Sequence, residues 1–294
     1  MRFSLPSFAK INWTLRILGK REDGFHELFT VFQTVSLSDT LTFSEGSGIS
    51  LTSSEPRMPV DERNLVIKAA SALNKEVGGS RGAAIHLQKR IPSPGGLGGG
   101  SSNAAVTLIG LRWLWQIDIS DARLATIAAE VGSDAAFFLT GGTAVGTGRG
   151  ENIEPIPDTA AAEMLIVRPR ARVRTRDAFA ALNAPVLTSE ARERILSVSR
   201  TDADRFDPLH SDLTNDFERS VFAAFPEIER VKKTLIDLGA ANAALSGSGA
   251  SVFAIFDKQE TRQAAQKALD NESTWRKFAV STISRREYRE ALGI

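Results

Sequence analysis

Between Pro92 and Ala105 the chain reads Pro-Ser-Pro-Gly-Gly-Leu-Gly-Gly-Gly-Ser-Ser-Asn-Ala-Ala, and five of those residues are glycine. Directly after it, Ala104, Ala105, Leu108, Leu111, Arg112 and Trp115 follow a helical period. This is the pattern of a loop feeding a helix N-terminus. Glycines let backbone N–H groups approach a ligand closely, because no Cβ intervenes and a positive φ costs little. The first N–H groups of a helix have no partner within it and lie at the positive end of its dipole. Together these features predict an anion site, most simply for phosphate. Ser101 and Ser102 can add hydroxyls, as helix caps or as ligands to phosphate or its metal. The plainer alternative is a flexible turn that happens to precede a helix.

Known phosphate-loop patterns narrow the choice. A Walker loop needs Lys-Ser/Thr after its last glycine, whereas Gly100 is followed by Ser101. A dinucleotide fingerprint starting at Gly96 and Gly98 would need its third glycine at Ser101, and Asp118 falls at the end of a helix, not of a strand. Neither His-Arg-Asp nor Asp-Phe-Gly occurs, so protein-kinase grammar is missing.

The chain's 294 residues are enough for about two domains. Its 36 basic and 35 acidic residues leave a net charge of +1, so no global field points to a nucleic-acid partner. A local cluster, Arg168, Arg170, Arg172, Arg174 and Arg176, can hold phosphate, although its period of two reads equally well as the solvated face of a strand. The absence of cysteine excludes disulfides, thiolate metal sites and a cysteine nucleophile. No run of 18 apolar residues is present, and Lys10 and Asn12 stand where a signal peptide would need hydrocarbon. A cytoplasmic protein without a membrane partner is expected.

From Phe8 the chain alternates, with Ala9, Ile11, Trp13, Leu15 and Ile17 on one face and Lys10, Asn12, Thr14 and Arg16 on the other. A half-buried strand follows, with a polar turn over 19–24 and a returning strand over 25–37. Residues 61–77 read as a helix and 83–91 as a strand entering the glycine loop. Ser120 can cap a helix whose stripe is Leu124, Ile127, Ala128 and Val131. Asp134 then lies at or near another helix start, where capping is the ordinary role of an aspartate. Glu154-Pro155-Ile156-Pro157 breaks the pattern and predicts a boundary between domains at 1–155 and 156–294. Beyond it come a buried strand at Met164–Val167, a charged irregular stretch over 189–212, a helix from Pro226 to Leu238, and the turn Leu245–Ala250 before a strand at Val252–Phe256.

Pro92, Gly96, Leu97, Gly98, Ser101 and Ser102 resemble the glycine-rich motif of the GHMP kinases, the galacto-, homoserine, mevalonate and phosphomevalonate kinases. The segments Gly132-Ser133-Asp134, Gly141-Gly142-Thr143-Ala144 and Gly146-x-Gly148-x-Gly150-Glu151 resemble that family's second motif, and Leu245–Ala250 its third. At the N-terminus, Ala9-Lys10-Ile11-Asn12, Gly19, Arg21–His26 and Phe32-Gln33 resemble the branch whose acceptor is 4-diphosphocytidyl-2-C-methyl-D-erythritol, with Phe25 where a tyrosine is usual and Pro94 where a glycine is usual.

The resemblance implies an α+β, two-domain GHMP kinase fold. Its N-terminal domain would be ribosomal protein S5 domain 2-like and its C-terminal domain ferredoxin-like, with the active site in the cleft between them. It implies ATP as co-substrate, Mg²⁺, phosphorylation of the acceptor's 2-hydroxyl in the non-mevalonate isoprenoid pathway, and a monomer or homodimer. Asp134 would be the base and Lys10 its neighbour. ATP would take Asn64, Pro92, Gly95, Gly96, Leu97, Gly98, Gly99, Gly100, Ser101 and Ser102. The acceptor would take Asn12, Phe25, His26, Thr175, Phe179, Gly247 and Ser248. The rival readings are mevalonate or homoserine kinase activity, a nucleotide-binding protein without chemistry, and, disfavoured by the loop, a dinucleotide oxidoreductase.

Overall fold

The alternation from Phe8 onwards builds an antiparallel hairpin of two 19-residue strands, β1 (Arg2–Lys20) and β2 (His26–Ser44), in a computed structural model that describes residues 1–160, 163–182, 184–185 and 206–294. The sequence predicts a strand with one polar, solvated face. Instead Lys10 and Asn12 are as buried as Ile11 and Trp13. The reason is that β1 is covered from both sides. Ala9, Ile11 and Trp13 share a core with Met164, Ile166, Ala244 and Phe253 from the second half of the chain, while the backbone N–H of Lys10 donates to the Leu97 carbonyl of the glycine loop at 3.0 Å.

The length of β2 lets it serve two partners on one side. Its Thr40–Ser44 end pairs with β4 (Ala83–Gln88) and its Leu28–Gln33 end with β5 (Thr143–Gly148). Adding β3 (Ile49–Ser53) beside β4, β6 (Asn152–Pro155) beside β5, and β8 (Thr214–Asn215) beside β1 gives a seven-stranded sheet. Helices α1 (Leu65–Glu76) and α2 (Gly99–Leu114) pack on it through Val66, Ala70, Leu73, Leu108 and Leu111 against Leu41, Phe43 and Leu87, and α3 (Asp121–Val131) packs on α1 and α2. Helix α1 starts later than the sequence predicts, because the Asn64 side chain accepts the Val66 N–H at 3.0 Å and caps it there. Ser120 caps α3 as expected, accepting from the Arg123 N–H at 3.2 Å.

A second, four-stranded antiparallel sheet runs β11 (Arg276–Val280), β7 (Met164–Arg168), β10 (Val252–Ile255), β9 (Asn242–Leu245). Helices α6 (Phe217–Ala224), α7 (Pro226–Asp237) and α8 (Gln259–Ala268) belong to its half of the chain, and Phe217, Val221, Ile228, Val231 and Leu235 share a core with its Leu165, Val167, Val252 and Ala254. Pro226 opens α7, where its missing N–H costs nothing.

The alternating arginines do not form a strand. β7 ends at Arg168, where Pro169 offers no N–H to extend the ladder, and α5 is a helix over Thr175–Ala181. Most of 189–212 lies outside the described residues; only 206–212 are described, and they hold a turn.

The second half also reaches back. The strand β8 pairs parallel to β1 at Thr14 and Leu15, and the last helix, α9 (Arg285–Leu292), buries Tyr288 and Leu292 in the core of α1–α3. After α3, a short helix α4 (Phe137–Thr140) follows the turn that carries Asp134 and leads the chain back to the sheet at β5. Among the described residues, no helix is long and apolar enough to cross a membrane.

Candidate active site

The glycine loop and α2 stand where the sequence places them. Gly96 and Gly98 adopt φ of +73° and +67°, which a residue with a Cβ rarely tolerates. They are also pressed against neighbours. A Cβ on Gly98 would lie 2.9 Å from both Lys10 Cγ and Phe138 Cζ, and one on Gly96 2.0 Å from the Ser246 carbonyl oxygen. Protein donors take the loop's carbonyls: Ser251 N–H reaches Gly95 O at 3.2 Å and Ser246 Oγ reaches Gly96 O at 2.9 Å. The first turn of α2, whose N–H groups have no helical partner, opens into a cleft of about 350 Å³ lined by Pro92, Gly95, Gly96, Leu97, Gly98, Gly99, Gly100 and Ser101.

Ser102 is turned away from that cleft, fully buried, with its hydroxyl 2.7 Å from that of Ser7. Asn64 is committed elsewhere too: its Oδ1 caps α1 and its Nδ2 donates to the Pro59 carbonyl at 2.7 Å, while its neighbour Leu65 lines the cleft. Pro94 lines the cleft as well, and its carbonyl accepts from Arg168 Nη2 at 3.2 Å.

Across the cleft, Lys10 Nζ lies 3.4 Å from Asp134 Oδ2. Asp134 sits in the turn before α4 and does not cap it, so its carboxylate is not used up by the fold. Lys10 is held in place: Nζ donates to Asn12 Oδ1 at 2.7 Å and stands 5.3 Å from the centre of the Phe32 ring. Asn12 Oδ1 also accepts the Gly247 N–H at 2.9 Å, and its Nδ2 donates to Thr30 Oγ1 at 2.7 Å. One asparagine thereby fixes the lysine to the second glycine loop.

The far end of the cleft is aromatic. His26 stacks on Phe179 with ring centres 4.9 Å apart, and Phe179 meets Phe217 edge-on at 4.8 Å. Burial, with Lys20 nearby, holds the His26 imidazole below its ordinary pKa, so at neutral pH the ring is uncharged. Thr175 Oγ1 lies 3.0 Å from Ser248 Oγ and brings α5 to the second loop. Phe25, more than half exposed, lies beneath Arg149 with the guanidinium 4.9 Å from its ring centre. It lines a second cavity of about 860 Å³ that shares Leu28, Ser133, Arg149, Thr175 and Phe179 with the first.

Comparison with known proteins agrees with this architecture. The GHMP kinases N terminal domain model matches residues 64–142 and the GHMP kinases C terminal model residues 199–273. A 4-diphosphocytidyl-2-C-methyl-D-erythritol kinase from Shouchella clausii is 40% identical over 266 residues, covering 88% of this chain and 87% of that protein. The chain belongs to this GHMP kinase family. A kinase of the same name from Gloeobacter violaceus is 35% identical over 285 residues, covering 95% of this chain and 93% of its own. A crystal structure of 4-(cytidine 5′-diphospho)-2C-methyl-D-erythritol kinase superposes with a TM-score of 0.76 at 30% identity, over 95% of this chain and 99% of that one. A homoserine kinase from Cytophaga hutchinsonii, at 23% identity and a TM-score of 0.70 over 97% of this chain and 96% of its own, shares the fold.

Several residues that build this kinase family's cleft here are missing from the sequence-based list. Arg149 lies inside the Gly148-x-Gly150 segment, so the motif itself was a signal for it. Thr30 lines the cleft from β2 and links Asn12 to the Thr14 carbonyl, to which it donates at 2.7 Å. Asn215 Nδ2 donates to the carbonyls of Leu245 and Gly247 at 2.8 and 2.9 Å and so shapes the second loop. Asp39, fully buried, accepts the N–H groups of Arg90 and Ile91 and the side chains of Lys89 and Asn103, tying the loop's entry to the first turn of α2. No local pattern marks the last three.

Proposed function

We propose that the protein is an ATP-dependent kinase that transfers the γ-phosphoryl group to the 2-hydroxyl of 4-diphosphocytidyl-2-C-methyl-D-erythritol, giving the 2-phosphate and ADP in the non-mevalonate isoprenoid pathway. One observation carries the reading: the Lys10–Asp134 pair, 3.4 Å apart, stands between a glycine-rich helix N-terminus and the His26–Phe179 stack. A phosphate group and an aromatic base bound at those two ends would place the acceptor alcohol beside the pair.

Phosphoryl transfer has a loose transition state in most analyses, so positioning and charge neutralisation carry most of the catalysis. The first-turn N–H groups of α2, with Gly95–Ser101, hold the ATP phosphates. Asp134 accepts the hydroxyl proton as the P–O bond forms. Lys10, fixed by Asn12, faces the same point and offsets the negative charge that develops there. Asn12, Thr175, Gly247 and Ser248 face the diphosphate and erythritol portion, and His26, Phe179 and Phe25 the cytosine. Among the described residues, no cluster of three or more acidic, histidine or cysteine side chains can hold a metal. The donor set nonetheless fits Mg²⁺, which keeps its waters and needs only one or two carboxylates beside phosphate oxygens. The Ser101 hydroxyl, which lines the cleft, would hold it beside the phosphate oxygens, and when bound it neutralises the phosphates. The kinase acts in the cytoplasm, as a monomer or homodimer, with residues 1–155 and 156–294 as its two domains.

Asp134→Asn tests the assignment, since it keeps the side chain's shape and removes the base. Turnover falls by about 10²-fold or more, while binding of a non-hydrolysable ATP analogue, followed by calorimetry, stays close to wild type. Retained turnover in the folded variant would remove Asp134 from the role.

A further inference from the structure

Arg168 and Arg276 stand directly opposite each other on the neighbouring strands β7 and β11. Like charges in such a cross-strand pair repel and weaken a sheet. Among the described residues, no carboxylate forms an ion pair with either, or with Arg172 nearby. Their polar contacts are backbone carbonyls: Arg168 Nη2 donates to Pro94 O at 3.2 Å and Arg276 Nη2 lies 3.4 Å from Arg90 O. Both carbonyls belong to the segment that enters the glycine loop, and neither arginine is among the residues lining the cleft. The Arg276 guanidinium is further positioned over the Phe278 ring at 5.1 Å. Arg168 Nε is buried with no partner at all. Burial, and then the charges of Arg276 and Arg172, push the Arg168 pKa down, so the guanidinium is short of negative charge.

A buried donor without an acceptor costs free energy, and so does an unrelieved pair of cations. A single anion seated among the three guanidinium groups would relieve the pair of cations. Guanidinium forks match the paired oxygens of phosphate and diphosphate. We propose that Arg168, Arg172 and Arg276 form a second anion site, outside the catalytic cleft and behind the glycine loop, that takes a small molecule bearing a phosphate or diphosphate group. Arg168 touches Pro94, a wall of the cleft, so the site and the nucleotide pocket share a backbone segment.

Inorganic pyrophosphate is the probe, titrated by calorimetry into the full-length protein already saturated with a non-hydrolysable ATP analogue. The analogue fills the cleft, so what binds next is not the nucleotide site, and failure of the analogue itself to bind would count against the kinase reading and not against this one. One pyrophosphate per chain is expected, with affinity reduced about tenfold or more in Arg172→Gln and again in Arg172→Gln/Arg276→Gln, and weakened by added salt. Thermal unfolding separates this from a structural role. The variants melt at or above the wild-type temperature, and pyrophosphate raises the melting point of the wild type more than that of either variant. Pyrophosphate that is displaced by the analogue, or that binds the double variant as tightly as the wild type, overturns the proposal. So does a double variant that loses stability while its anion affinity is unchanged, since the arginines would then serve only to brace the carbonyls of Arg90 and Pro94.

Discussion

On the proposed reading, His26 and Gly98 set two separable demands on the cleft, one for the acceptor and one for the phosphates. His26→Ala removes the ring stacked on Phe179 and raises KM for the cytidyl substrate well above any change in KM for ATP; equal effects on both would take His26 out of base recognition. Its titration gives a direction as well. The folded state holds His26 below the free value of about 6.5, so at lower pH the unfolded chain binds the extra proton more readily. The stability His26 contributes is therefore complete above that value and is lost as pH falls towards its depressed pKa. KM for the cytidyl substrate is expected to be flat between neutral and mildly alkaline pH and to rise on acidification. A profile that His26→Ala leaves unaltered would contradict this. Gly98→Ala forces a positive φ on a residue with a Cβ and drives that Cβ against Lys10 and Phe138, so both stability and turnover fall, by about 1–2 kcal/mol for the backbone alone.

Glycine density made the loop readable from sequence. Lys10 and Asp134 were readable only through the motifs around them, because alternation alone makes one a solvated lysine and helix position makes the other a cap. Arg149 stands inside a glycine motif that is legible in the sequence, and that motif is its only sequence signal.

Among the elements, α9 helps to hold the Asp134 turn, although it comes last in the chain. The buried Tyr288 hydroxyl donates to the Phe138 carbonyl, and the Phe138 ring lies where a Cβ on Gly98 would collide with it. Burial pushes the tyrosine hydroxyl far above its ordinary pKa, so it remains a donor across the working range. Tyr288→Phe leaves that carbonyl buried without its partner and lowers unfolding free energy by about 1–3 kcal/mol. Urea denaturation measures this, and an unchanged midpoint would show that the bond is not needed. Asp39 fastens the other side of the glycine loop. Asp39→Asn leaves Lys89 buried without a counter-charge, and a loss of about 3–5 kcal/mol is expected.

Hydrophobic period and caps were enough to place α2, α3 and α7 from sequence, since each is specified within one turn of its own ends. The arginine stretch leaves its local structure open for the opposite reason. A period of two over 168–176 reads as a strand, but Pro169 ends the ladder and the rest turns into α5, a choice settled by packing of Ala178 and Phe179 against the second half's core.

Across the whole molecule, the cleft exists because three motifs far apart in sequence meet. The Gly96 carbonyl is held by Ser246, 150 residues away, and Asn12 by Gly247, 235 residues away. Order along the chain predicted two halves and a site between them. It gave no sign that β1 would be buried on both faces, or that the chain's end would return to the first core, because both depend on contacts that no local pattern encodes. The Phe25–His26 segment and the aromatic stack at one end of this cleft are what the account uses to choose the acceptor. The most direct test is ADP release by the purified protein with Mg-ATP, comparing 4-diphosphocytidyl-2-C-methyl-D-erythritol with mevalonate and homoserine. Turnover on the cytidyl compound alone is predicted; phosphorylation of mevalonate or homoserine at a comparable rate, or of none of the three while ATP still binds, would contradict it.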